Sequence, residues 1–126
     1  MKSLDEYFLT AAPCDYISND CCAFPGGWVW EQTGVDPVAE WRGRYSSEAE
    51  AMVFVKACGG VPSIMDKGLK TAGMKRTSTP QNGDVGCVVV EGQAVGAIMK
   101  DGYWWVLGTQ GKFPIPNARL LRAWTF

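Results

Sequence analysis

Residues 85–107 read VGCVVVEGQAVGAIMKDGYWWVL, and the fold class is decided in this stretch. Short β-branched and aromatic runs alternate with glycine-bearing pairs, the pattern of strands joined by tight turns. Val85 to Val90 is expected to be one strand, Glu91-Gly92 a turn, and Ala94 to Lys100 the next strand. Asp101-Gly102 has the chemistry of a type I′ hairpin turn, because both central positions need positive φ and Asp and Gly tolerate it. Tyr103 to Leu107 follows as a third strand. Further on, Phe113 to Pro116 precedes a short turn and Leu120 to Phe126 closes the chain as a last strand. This part of the chain predicts an antiparallel β-meander.

Toward the N-terminus the texture changes to helical spacing. Residues 2–11 predict a short helix with Ser3 as N-cap and Leu4, Phe8 and Leu9 on one face, ending before Pro13. A second helix is expected to begin near Cys21, capped by Asn19 or Asp20, with Pro25 held to its first turn and Thr33-Gly34 as its stop. Ser46 or Ser47 caps a third, in which Ala51, Met52, Phe54 and Val55 follow helical spacing up to Cys58-Gly59-Gly60. A fourth, about Val61 to Ala72, buries Ile64, Met65 and Leu69 and closes at Gly73, with Gly68 weakening it. Lys75 to Gln81 reads as a polar connection. The expected fold class is α+β, with N-terminal helices packed on a C-terminal antiparallel sheet as one domain over residues 1–126.

Composition narrows the function classes. A chain of 126 residues buries roughly two thirds of the surface its unfolded form exposes, enough for one core. Twelve Lys and Arg against thirteen Asp and Glu give a net charge of -1 with no basic run, so nucleic acid and anionic lipid are not expected partners. No apolar run approaches the roughly 20 residues of a membrane span, and MKSLDEYFLT carries acidic residues where a signal peptide is apolar. The chain is expected to be soluble and made in the cytoplasm. Five cysteines, Cys14, Cys21, Cys22, Cys58 and Cys87, are odd in number and lack zinc-site spacing. Thiols in a reducing compartment are expected, with no metal and no cofactor.

Helices first and an antiparallel sheet afterwards, with a cysteine at the start of an early helix, is the arrangement of papain-like peptidases. The helix N-terminus lowers a thiol's pKa and favours the nucleophilic thiolate. Asp20-Cys21-Cys22-Ala23-Phe24 resembles the Asp-Cys-Ser nucleophile motif of the NlpC-type cysteine peptidases. Gly83-Asp84-Val85 is similar to the start of that family's first strand, and Gln93-Ala94-Val95-Gly96-Ala97-Ile98 to its His-Val-Gly-Ile strand. The resemblance implies that Cys21 stands at the nucleophile position and Ala94 at the position of the catalytic histidine. The chain contains no histidine at all, and Tyr103 to Leu107, where an orienting polar residue is implied, is aromatic and aliphatic. Two of three catalytic positions are missing.

Asn19-Asp20-Cys21-Cys22, Thr33-Gly34-Val35-Asp36-Pro37 and Arg42-Gly43-Arg44-Tyr45 also resemble a group of small proteins encoded in tailed phages and prophages. Such NlpC-like proteins look to be encoded among tail-tip genes, so the resemblance implies a virion role with other phage tail proteins as partners and contact with peptidoglycan. The expected function is a catalytically degenerate domain serving as a structural or docking part of a tail tip. The rivals are a thiol hydrolase of peptidoglycan amides using Cys21 with an unorthodox base, for which Lys100 is a candidate, and a small host-acting phage protein outside the particle.

Each singled-out residue also has a plainer reading. Cys21 reads more plainly as a buried thiol packing as a small hydrophobe, and Asp20 as a helix cap. Trp41 and Arg44 are candidate binding residues because aromatics and Arg are enriched at interface hot spots, while Arg42 or Arg44 also suits a loop ion pair. Trp104 and Trp105 are candidate binding residues as well: they are adjacent on a strand, so one must face away from the core and is expected to need a partner. Trp28, Trp30, Trp41 and Trp124 are assigned to core or edge.

Overall fold

A computed structural model of the chain describes residues 3–10, 23–39, 47–57, 59–108 and 111–126. Four helices precede the sheet among these residues: α1 (Leu4–Thr10), α2 (Ala23–Thr33), α3 (Glu48–Ala57) and α4 (Val61–Thr71). Local chemistry sets their ends. Ser3 and Glu6 form a reciprocal capping box at α1, the Ser3 Oγ accepting from the Glu6 amide at 3.2 Å and the Glu6 carboxylate from the Ser3 amide at 3.4 Å. Pro25 falls in the first turn of α2, and Gly34, at φ 78°, donates back to the Trp30 carbonyl to end it. The Ser47 hydroxyl accepts from the Glu50 amide at the start of α3. The expected caps Asn19 and Asp20 lie outside the described residues, as do the side chains of Phe54 and Val55.

Helical phase corrects three expectations, at Leu9, Met52 and Trp30. Counting i, i+3 and i+4 from Leu4 selects Tyr7 and Phe8, which are buried, whereas Leu9 is 84% exposed. On α3 Ala51 is buried, but Met52 and Val53 face solvent. Trp30 on α2 is also exposed rather than core or edge. On α4 the expected residues Ile64, Met65 and Leu69 are buried together with Val61 and Gly68. Gly68, which weakens α4 as an isolated helix, is buried and lines a small apolar crevice with Pro25, Gly26 and Val38.

Six strands form a single antiparallel sheet: β1 (Lys75–Arg76), β2 (Val85–Val90), β3 (Gln93–Lys100), β4 (Tyr103–Gly108), β5 (Gly111–Ile115) and β6 (Arg119–Thr125), in the order β1-β6-β2-β3-β4-β5. Strands β2 to β5 are the meander. Asp101-Gly102 has the expected positive φ pair, 55° and 83°, and the turn at Glu91-Gly92 has one too, 51° and 78°. Three features depart from the sequence expectation. Strand β6 leaves the meander and returns to the far side of β2, with a bulge between Cys87 and Val88. The supposed polar connection supplies β1, which pairs Lys75 with Thr125 and Arg76 with Trp124. Residues 111–115 form an edge strand, the location in a sheet where Pro114 is tolerated.

The sheet has apolar residues on both faces. On the helix side Phe24, Trp28, Val29, Met65, Leu69, Val85, Cys87, Ile98, Leu107 and Trp124 form the main core. The opposite side carries a second cluster of Val88, Ala97, Trp104, Val106 and Ala123. Gly86 makes the second cluster possible, since a Cβ there would sit 2.7 Å from the Trp104 ring. Trp124 on β6 also ties the sheet to α4 and β1. Its indole donates to Asp66 at 3.0 Å, and the Arg76 guanidinium lies 5.9 Å from its ring centre.

Candidate functional site

Ala94 is the second residue of β3 and pairs with Val89 of β2. It is half-buried and packs against the main core, so it lies on the helix side of the sheet. Helix α2 lies against β3, and Cys21 falls two residues before the first residue of that helix. Cys21 itself, with Trp41 and Arg44, lies outside the described residues, so the pairing of Cys21 with Ala94 is not part of the described geometry.

The Gly83-Asp84 pair holds the base of this arrangement together. The Trp28 indole of α2 donates to the Gly83 carbonyl at 2.7 Å. Asp84 is buried, and its carboxylate accepts from the Gln81 amide at 2.9 Å and from the Thr125 hydroxyl of β6 at 2.8 Å. Its backbone carbonyl accepts from Met99 of β3. One dipeptide therefore links α2, β2, β3 and β6, with every buried polar atom of Asp84 satisfied. The sequence marks this dipeptide only through the strand-start motif; its role as a junction comes from residues 41 and 55 positions away.

Lys100 takes a different part from the one available to a general base. Its ammonium lies 2.7 Å from Asp101 and 3.4 Å from Asp5 of α1. It also sits 5.6 Å from the Phe8 ring centre and 5.8 Å from that of Trp105. The hydrogen bond to Asp101 is the largest influence and raises the Lys100 pKa; desolvation opposes it, and Asp5 adds to it. A lysine base needs the opposite shift. Lys100 instead fastens α1 to the sheet, where Phe8 also meets Trp105 edge-on at 5.5 Å.

Adjacent alternation separates the two tryptophans, as expected, but each finds its partner within the chain. Trp104 turns away from the helices and is 7% exposed, because the second cluster encloses it. Trp105 faces the helices, is half-buried, and donates from its indole to the Lys100 carbonyl at 3.0 Å. Neither is an outward indole in want of a partner, since the apolar cluster on the second face encloses the one that strand alternation turns outward. Among the described residues no group of three or more His, Cys, Asp and Glu side chains is placed to hold a metal. Nor is any helix among them long and apolar enough to cross a membrane.

Fold and site together define an α+β domain in which short N-terminal helices pack on one face of a six-stranded antiparallel sheet. The chain belongs to the family described as a domain of unknown function, DUF6950, whose model matches residues 2–126. No curated protein and no solved structure matches it.

Proposed function

We propose that this domain is a catalytically degenerate, papain-like relative of the NlpC-type peptidases that works by docking within a phage tail tip, with other tail proteins as its partners. The observation that carries the reading is Ala94, a methyl group on the helix side of β3 where the resemblance calls for an imidazole, in a chain without histidine. A thiol at Cys21 without a base has no route to a reactive thiolate beyond the helix terminus itself. The alternative base, Lys100, is committed as a cation to Asp101 and Asp5. Such a domain retains the shape that meets peptidoglycan or a tail partner and has lost the chemistry.

Two measurements test this. Purified virions analysed by mass spectrometry are expected to contain the protein, and deletion of its gene is expected to impair tails; absence from the particle together with normal tails sinks the docking role. Incubated with peptidoglycan stem peptides, the protein is expected to show no turnover above that of Cys21→Ser. Removing one member of a catalytic pair costs several orders of magnitude in turnover, so a true hydrolase would separate from that control clearly.

A further inference from the structure

We infer that the socket beneath α1 is a recognition site for a helical segment of a partner protein, one that carries a carboxylate, a tyrosine and a phenylalanine at the spacing of Asp5, Tyr7 and Phe8, and that α1 is its exchangeable resident. Other elements line the socket. Tyr7 inserts beside α2, its ring centre 5.8 Å from that of Phe24 and 5.7 Å from that of Trp28, and its hydroxyl donates to the Phe24 carbonyl. Gly27 is the notch that admits this hydroxyl, because a Cβ there would collide with it. Glycine inside an eleven-residue helix weakens the helix, and here it leaves room for a phenol. Phe8 meets the rings of Phe24 and Trp105, both at 5.5 Å. The Lys100 ammonium lies 5.6 Å from the Phe8 ring centre and 3.4 Å from Asp5. Notch, aromatic walls and cation together select an acidic, aromatic helix, bound in the manner of a helix in a groove.

The walls of the socket are held by bonds in which α1 has no part. The Trp28 indole donates to the Gly83 carbonyl at 2.7 Å, and the Trp105 indole to the Lys100 carbonyl at 3.0 Å. The Lys100 ammonium keeps Asp101 at 2.7 Å whether or not Asp5 is present. Helix α2, which carries Phe24, Gly27 and Trp28, lies against β3. Departure of α1 therefore leaves both indoles, the notch and the cation in position, and a site organised in advance binds without paying to assemble itself.

The occupant is held less firmly than the walls. Seven residues are too few to stay helical alone, so α1 is a helix only while docked. Its contribution to the main core is Leu4, Tyr7 and Phe8, while Leu9 is 84% exposed and the Asp5 side chain 82% exposed. An ion pair so open to water adds little. Ordering seven residues costs free energy of the same size as burying two rings returns, and segments with that balance open locally before the body of a domain unfolds. A partner helix already ordered within its own protein brings the same three groups without the ordering cost, which is what allows it to displace α1.

This inference deepens the docking reading and rests on it only in supposing a protein partner. The probe is a fluorescently labelled peptide of residues 1–10, cross-linked on its outer face to hold it helical, added to the full chain. Tyr7→Ala/Phe8→Ala vacates the socket and is expected to bind the peptide about tenfold tighter or more than the unaltered chain, in which α1 competes. Adding Gly27→Ala to that variant fills the notch and is expected to weaken binding about tenfold, as is Phe8→Ala in the peptide. A second measurement needs no variant to fold. In the isotope-labelled unaltered chain, saturating peptide is expected to speed amide exchange in residues 4–10 while β2 and β3 stay unchanged. Exchange of residues 4–10 only together with β2 and β3 would make α1 a permanent part of the core and overturn the inference. So would absence of binding to a vacated variant whose circular dichroism shows the sheet intact, or binding indifferent to Gly27→Ala. Peptide exchange in a protein that is absent from virions would remove the tail role and leave the socket standing.

Discussion

Trp104→Ala is expected to damage folding, and the Gly86–Trp104 contact makes the size and origin of that damage measurable. A tryptophan side chain buries about 200 Å², which at about 25 cal/mol per Å² corresponds to about 5 kcal/mol of burial. With Trp104 only 7% exposed, truncation is expected to cost about 3–5 kcal/mol in urea unfolding followed by far-UV circular dichroism. In the unaltered chain Gly86→Ala places a methyl 2.7–3.2 Å from three atoms of the indole, inside a cluster closed by Val88, Ala97, Val106 and Ala123. Overpacking of this kind costs about 1–3 kcal/mol. Once Trp104 is alanine, the same methyl enters vacated space, and its cost is expected to fall to about zero or to reverse, because alanine suits a strand better than glycine. The double-mutant cycle should therefore show coupling of about 1–3 kcal/mol. Additivity within about 0.5 kcal/mol, or loss of less than about 1 kcal/mol in Trp104→Ala, would mean that the indole is not the lid of an intramolecular cluster. Trp104 would then return as a candidate surface anchor.

Asp84→Asn is expected to cost about 1–3 kcal/mol, since an amide cannot keep both acceptor roles toward the Gln81 amide and the Thr125 hydroxyl; equal stability by urea titration would contradict the junction role. Gly27→Ala is expected to displace the Tyr7 hydroxyl from the Phe24 carbonyl and loosen α1, seen as faster amide exchange in residues 4–10 with the sheet unaffected. The Lys100 attachment has a defined pH dependence. Its pKa is raised by folding, so the stabilisation is present in full below the ordinary value of 10.5 and is lost as pH rises through the higher folded value. Lys100→Met should abolish that alkaline drop, and an identical drop in the variant would assign it to other groups.

Local chemistry made much of this fold legible. The capping box at Ser3 and Glu6, the serine cap of α3, the proline in the first turn of α2 and the two positive-φ turns at 91–92 and 101–102 each depend on residues within a few positions of one another. A reader of the sequence alone can therefore place four helices and the central meander. Leu9 and Met52 are exposed despite their apolar character, because the burial of a helix residue depends on the exact rotation of the helix against the sheet.

Tertiary structure alone decided the rest. Nothing near Arg119–Thr125 says that this strand should leave the meander and pair with β2, or that Lys75 and Arg76 should then complete the edge, because pairing partners are chosen between segments tens of residues apart. Alternation predicted that Trp104 and Trp105 would part; only the approach of Gly86 from another strand showed that the outward indole is buried within the chain. At the candidate site the missing histidine was plain from composition, and the Gly83-Asp84 motif was visible. The Lys100 cage was not, because a charge in a sequence carries no record of its counter-charge: whether it has one depends on the distance between side chains, which exists only after the chain has folded.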